Sequence, residues 1–157
     1  MLYNAIWHGA ELMTGTEYVI DVLSGSGVFK GKGVPTVADV RQRIKDGLPY
    51  RSLESVRERL RLSVPETASI LDMPARTLAR RKQSRRLDAH ESDRLYRVAR
   101  VAAHAFDVFG TEDNAATWLR RPNRALGGEA PIHLLDTDVG ARQVEDTLGR
   151  LEHGIVS

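Results

Sequence analysis

An all-α fold is expected for this chain, on three observations. From Val37 onward the apolar residues recur at helical intervals, which gathers them on one face of each segment. Two segments open with a capping side chain followed three residues later by glutamate, Ser63 with Glu66 and Asp88 with Glu91, the capping-box pattern of a helix N-terminus. Nothing along the 157 residues asks for an extended sheet.

Residues 1–36 read as an adaptable arm, rich in glycine around Ser24-Gly25-Ser26-Gly27 and Gly31-Lys32-Gly33, with one short element at the apolar patch from Tyr18 to Leu23. Val37, Val40 and Ile44 fall at i, i+3 and i+7 of a helix that Gly47 ends. A second helix is expected over 52–61 on Leu53, Val56 and Leu60. Ser63 then caps a short helix carrying Ala68, Ile70 and Leu71. It stops before Pro74, because a proline disfavours helical backbone in the residue preceding it and readily begins the next helix, here 74–84 with Leu78 inward. Asp88 opens a long amphipathic helix with the stripe Leu95, Val98, Ala99, Ala102, Ala105, Phe106 and Phe109, ended by Gly110 and a candidate seam for a dimer. Thr111 caps the next helix, with Glu112 and Asp113 at its positive end and Trp118 and Leu119 as anchors. A loop from Arg121 to Pro131 and the apolar stretch from Ile132 to Leu135 lead to a last helix, capped at Thr137, with Val139, Val144, Leu148 and Leu151 on one side. The expected organisation is an arm at 1–36, a helix-turn-helix domain at 37–95 and a second helical domain at 96–157.

Composition narrows the function classes. With 41% hydrophobic and 28% charged residues the chain has a globular balance. Cysteine is absent, which removes disulfide frameworks, thiolate metal sites and cysteine nucleophiles together. No apolar run approaches the roughly 20 residues that span a bilayer, and the first twenty residues hold no Lys or Arg, so a cytoplasmic protein without a membrane partner is expected.

The charge is segregated. Residues 1–40 carry a net −2, residues 41–100 a net +8 and residues 101–157 a net −4. Two surfaces with different partners are the natural reading of a basic middle and an acidic end. The basic excess concentrates in the second of the two short helices around Pro74, where no acidic residue occurs from Met73 to Leu87. Two short helices about a tight turn have the form of a helix-turn-helix, whose second helix enters the major groove. Positions 76, 80 and 83 share a face, so Arg76, Thr77, Arg80 and Gln83 are the candidates for base edges or phosphates, and Arg81, Lys82, Arg85 and Arg86 for phosphates.

Enzymatic patterns fail. Gly31-Lys32 is followed by Gly33 with Ser26 where a P-loop needs its first glycine, and Lys30 occupies the third glycine position of a dinucleotide fingerprint begun by Gly25 and Gly27. The five histidines make no paired-ligand spacing. No catalytic residue, metal or cofactor is therefore expected.

The run from Leu62 to Arg81, continued by Arg86 to Leu95, resembles the helix-turn-helix of the Xre/MbcA/ParS antitoxins. Trp118-Leu119, then Pro122-Asn123-Arg124-Ala125-Leu126-Gly127-Gly128-Glu129-Ala130-Pro131, Leu134 to Thr137, Gly140, Gln143-Val144, Leu148 and Leu151 to Gly154 resemble the C-terminal toxin-binding domain of the same family. The resemblance implies a type II antitoxin that binds a cognate RES-domain toxin, an enzyme that depletes NAD, blocks its substrate pocket with the C-terminal end, and represses its own operon by binding operator DNA. It also implies a homodimer and a hetero-oligomer with the toxin. Toxin-binding candidates are Trp118, Pro122, Asn123, Leu126, Gly127 and Gly128 in the loop region, expected mainly to shape the domain, and Arg150, Glu152, His153, Gly154, Ile155, Val156 and Ser157 at the end. The alternative is a helix-turn-helix regulator whose acidic C-terminal domain senses a small molecule.

Overall fold

The computed structural model describes residues 15–24 and 35–154. Among these residues the chain forms eight α-helices: α1 (Gly15–Ser24), α2 (Val37–Asp46), α3 (Tyr50–Arg59), α4 (Val64–Ile70), α5 (Ala75–Ser84), α6 (Ala89–Phe109), α7 (Glu112–Arg120) and α8 (Asp138–Glu152). Two 3₁₀ turns, Arg124–Leu126 and Pro131–Asp136, lie between α7 and α8.

The caps are those the sequence predicts. The Ser63 hydroxyl accepts from the Glu66 amide while the Glu66 carboxylate accepts from the Ser63 amide, and Asp88 and Glu91 repeat the arrangement at α6. A third box forms at Thr36 and Asp39, where it opens α2. Thr111 and Thr137 cap α7 and α8, and Gly110 closes α6 in the left-handed conformation.

Helix α6 is the spine. Leu95, Val98, Ala99, Val101, Ala102, Ala105 and Phe106 are buried, and α1, α2, α3, α7 and α8 all pack on it. The buried Ala99, Ala102, Ala103 and Ala105 let several helices approach one axis closely. As the sequence reading expects, this helix runs unbroken through residue 95, and it serves both sides of the molecule. The apolar stripe of α6, a candidate dimer seam, is covered by helices of the same chain, because α1 and α8 flank it. Part of the arm is likewise built into this core: α1 buries Val19, Val22 and Leu23 against α3 and α6, and the Ser55 hydroxyl donates to the Val22 carbonyl at 2.8 Å.

Smaller departures have simple causes. Helix α3 starts at Tyr50 because Pro49 stands at its N-cap with the extended backbone that precedes a helix. Val139 is exposed, since it lies about 140° around the helix from Val144; Gly140 and Ala141 take the inner face instead. Gly140 has a steric requirement: a Cβ there would come 2.0 Å from the Leu134 carbonyl oxygen. Val37 is exposed as well, and Val40 anchors α2.

A short backbone pairing ties two distant parts of the chain together. The segment between α2 and α3 lies against the segment between α5 and α6, as a single antiparallel bridge joins Pro49 to Arg86. The Leu87 amide donates to the Leu48 carbonyl and the Tyr50 amide to the Arg85 carbonyl, both at 2.9 Å. The Leu48 amide donates to the buried Ser92 hydroxyl at 2.7 Å. Gly47 allows the approach: its φ is +91°, and a Cβ would lie 2.2 Å from the Leu87 carbonyl oxygen.

Candidate functional site

Helices α4 and α5 and residues 71–74 between them make the helix-turn-helix. The turn closes through the Met73 amide, which donates to the Ala68 carbonyl at 2.8 Å, with Asp72 at a left-handed φ of 46°. Arg94 of α6 pairs with Asp72 at 3.4 Å and donates to the Leu71 carbonyl, holding the turn from outside. Leu78 is 4% exposed and plugs α5 into the core.

The eight candidate DNA-binding residues separate into distinct groups. Arg76, Arg80, Lys82 and Gln83 are exposed on α5, and no hydrogen bond or ion pair engages their side chains among the described residues. Thr77 is half-buried beside them. Arg85 ends the helix at a left-handed φ of 58°, exposed and without a carboxylate partner among the described residues. Arg86 is exposed too, and its guanidinium donates to the Asp46 carbonyl at 3.0 Å.

Arg81 differs from all of them. Its guanidinium reaches Glu91 at 2.7 Å and Asp88 at 2.9 Å, and its side chain is only 21% exposed. Burial alone would raise the Asp88 carboxyl, but the Glu91 amide and the Arg81 charge outweigh it and hold Asp88 below its ordinary value. Arg81 therefore fastens the recognition helix to the cap of α6. Sequence alone offers both as DNA contacts, Arg80 for base edges or phosphates and Arg81 for phosphates; a hundred degrees of helix rotation sends one out and one in.

The C-terminal candidates form a compact unit. Trp118 is half-buried with its ring centroid 5.3 Å from that of Phe109, and Leu119 is fully buried. Asn123 organises the loop: its side chain accepts from the Ala125 amide at 2.9 Å, its amide donates to the Glu129 carbonyl at 3.0 Å and its carbonyl accepts from the Gly128 amide at 2.9 Å. Leu126 plugs the loop into the core. Pro122, Gly127 and Gly128 sit on the surface. Trp118, Asn123 and Leu126 thus shape the domain, as expected of this loop.

At the end of α8, Arg150, Glu152, His153 and Gly154 are exposed. The Arg150 guanidinium lies 3.4 Å from the Thr147 hydroxyl, Glu152 faces His104 at 3.4 Å, and the His153 Nδ1 is 2.7 Å from the Gly149 carbonyl. Ile155, Val156 and Ser157 lie outside the described residues.

Ion pairs between distant segments, which spacing does not reveal, join the two regions. Arg120 at the end of α7 pairs with Glu66 of α4 at 2.6 Å, and Arg61 pairs with Asp113. The Ser63 amide, aided by the Arg120 charge, keeps the Glu66 carboxyl below its ordinary value. Arg100 holds Glu145 of α8 through two contacts, at 2.6 and 3.2 Å, which raises the Arg100 pKa.

Residues 39–100 match the family model described as the Antitoxin Xre-like helix-turn-helix domain, and residues 104–154 match the Antitoxin Xre/MbcA/ParS C-terminal toxin-binding domain. The chain is 37% identical over 116 residues to a protein named Antitoxin Xre from Photorhabdus laumondii, covering 73% of this chain and 78% of that one. The chain belongs to the Xre antitoxin family. A second Antitoxin Xre, from Yersinia enterocolitica, is 36% identical over the same share of each chain. A protein named Prs ADP-ribosylating antitoxin, from a Sphingobium species, is 25% identical over 83% of this chain and 95% of its own length. Among solved structures, a chain of the M. tuberculosis MbcT-MbcA toxin-antitoxin complex superposes with a TM-score of 0.51 at 24% identity, covering 79% of this chain and all of that one, a likeness of fold. For an Xre antitoxin the two surfaces of interest are the helix-turn-helix face and the toxin-binding domain. Among the described residues no helix is long and apolar enough to cross a membrane.

Proposed function

We propose that this Xre antitoxin neutralises a RES-domain, NAD-depleting toxin by placing its C-terminal end in the toxin's substrate pocket, and that it represses its own operon through α5. The observation that carries the first half is the end of α8. Leu148 is fully buried and fixes the helix, whereas Arg150 and Glu152 to Gly154 are exposed to solvent. A short polar segment on a rigid helix suits insertion into a cleft, because little conformational freedom is lost on binding. The acidic balance of residues 101–157 favours a basic rim on the partner. On this reading the chain is not an enzyme and acts in the cytoplasm, where NAD is the toxin's substrate.

The second half rests on the unpaired cations of α5, which are free for phosphates and base edges. One recognition helix covers little DNA, so the operator-bound form is a homodimer reading two half-sites.

Co-expression with the product of the adjacent gene tests the proposal. That product alone is expected to lower cellular NAD and arrest growth, and the full chain to restore both. Arrest without NAD loss would refute the RES assignment, and continued arrest beside the antitoxin would refute neutralisation.

The small-molecule sensor draws on a groove of about 440 Å³ lined by Thr16, Tyr18, Tyr96, Arg100, His104 and Glu145. Its strongest cation, Arg100, is already held by Glu145, which weakens the groove as an anion site and leaves the antitoxin reading ahead.

A further inference from the structure

Seven arginines are held by the chain's own carboxylates, and other basic residues, on α5 and elsewhere among the described residues, are not. Arg59, Arg61, Arg81, Arg94, Arg100, Arg120 and Arg142 each face a carboxylate of the chain. Arg76, Arg80, Lys82 and Arg85 face none among the described residues, and they lie together on and just beyond α5.

Arg51 belongs with the α5 cations by the fold, although it lies far away in sequence. It is exposed in the first turn of α3, with no ion pair or side-chain hydrogen bond among the described residues. The Tyr50 amide donates to the Arg85 carbonyl at 2.9 Å, and the Pro49–Arg86 bridge lies immediately before it. The backbone of residue 51 is thereby fixed one peptide from the end of the recognition helix, beside Arg85 and Arg86. A cation in the first turn of a helix opposes the helix dipole, so local stability gives no reason for an arginine here. Exposed cations held on paired backbone segments, without carboxylate partners and contiguous with a recognition helix, fit a row of phosphates.

We propose that Arg51 is a phosphate-contacting residue, and that the DNA surface extends from α5 across the 48–50/85–87 pairing to the start of α3. The proposal rests on the reading of α5 as a DNA-binding helix. Arg85 and Arg86 form the middle of this surface, with Arg86 steadied by the Asp46 carbonyl. Arg51 sets orientation along the duplex and reads no base.

Salt titration of DNA binding by the full-length protein is the test, using two labelled duplexes: the region upstream of its own gene and a scrambled duplex of equal composition. Arg51→Ala is expected to weaken both duplexes by the same factor and to lower the slope of log affinity against log salt by about 1 per bound protomer. Across a fourfold rise in salt the wild type then loses about three- to fourfold more affinity per protomer than the variant. Arg51→Lys is expected to keep most of the slope, and both variants the wild-type Tm. An unchanged slope for Arg51→Ala beside a reduced slope for Arg80→Ala overturns this proposal and spares the DNA reading. A loss confined to the upstream duplex also overturns it. Absence of salt-dependent binding by the wild type removes the DNA reading and this proposal together.

Discussion

Arg80 and Arg81 are neighbours of one residue type on one basic helix, and their substitution to alanine is predicted to have opposite signatures. Arg80 is exposed and unpaired among the described residues, so Arg80→Ala removes a phosphate or base contact and nothing from the fold. Its Tm stays within about a degree of wild type, and the salt slope of DNA binding falls by about 1. Arg81→Ala deletes the contacts at 2.7 Å to Glu91 and 2.9 Å to Asp88. Glu91 has a side chain only 8% exposed and keeps a hydrogen bond from the Asp88 amide. A partly satisfied buried carboxylate costs about 1–3 kcal/mol when its cation is removed; because Asp88 and part of Arg81 are wet, the middle of that range, about 2 kcal/mol, is expected. For a chain of this size that lowers the Tm by about 4–8 °C, while the salt slope keeps its wild-type value. Circular dichroism melts and fluorescence anisotropy across a salt series measure both quantities on the same preparations. An Arg81→Ala variant with an unchanged Tm and a salt slope reduced like that of Arg80→Ala would overturn the separation of their roles.

Gly140→Ala places a methyl group 2.0 Å from the Leu134 carbonyl oxygen, so the second 3₁₀ turn must shift; equilibrium urea unfolding is expected to show a loss of about 1–3 kcal/mol with an unchanged m-value. Leu119→Ala, at a fully buried site between α7 and α6, is expected to cost about 2–5 kcal/mol in the same assay. Stability should also fall on acidification. The Glu66 and Asp88 carboxyls lie below their ordinary values of 4.5 and 3.8, so the unfolded chain takes up their protons at higher pH than the folded one. Their contribution is full above those ordinary values and is lost as pH falls through the lowered folded ones. Melts recorded from neutral pH downward check this, with Glu66→Gln and Asp88→Asn each expected to flatten the decline.

Much of this molecule is legible before any coordinates, because its helices are punctuated by local chemistry. Ser63 with Glu66, Asp88 with Glu91, Thr111 and Thr137 are each understood from a few neighbouring residues, and the caps form there. What stays hidden depends on contacts between distant segments. The patch from Tyr18 to Leu23 looks like part of a glycine-rich arm until Val22 and Leu23 are seen beneath α3 and α6. Val139 reads as a core residue by its type, and only its angle around α8 relative to the second 3₁₀ turn sends it outward. The separate fates of Arg80 and Arg81 stem from the position of Glu91, and the place of Arg51 beside the recognition helix stems from a pairing between residues 48–50 and 85–87 that no periodicity announces. Asn123 and Leu126 sit in a motif that signals the toxin-binding domain, yet their contacts lie within the chain, whereas Arg150 and Glu152 to Gly154 at the end of α8 are exposed.

The most direct measurement concerns that exposed end. A chain lacking residues 150–157 loses every candidate at the exposed end and keeps the buried Leu148 of α8. Purified toxin is assayed for NAD consumption with the full chain, with the shortened chain and alone. The full chain is expected to inhibit completely, and the shortened chain to keep a Tm near wild type and its DNA binding while inhibiting at least tenfold more weakly, about 1.4 kcal/mol or more. Equal inhibition by both chains would contradict the C-terminal block, placing it on another surface of the toxin-binding domain.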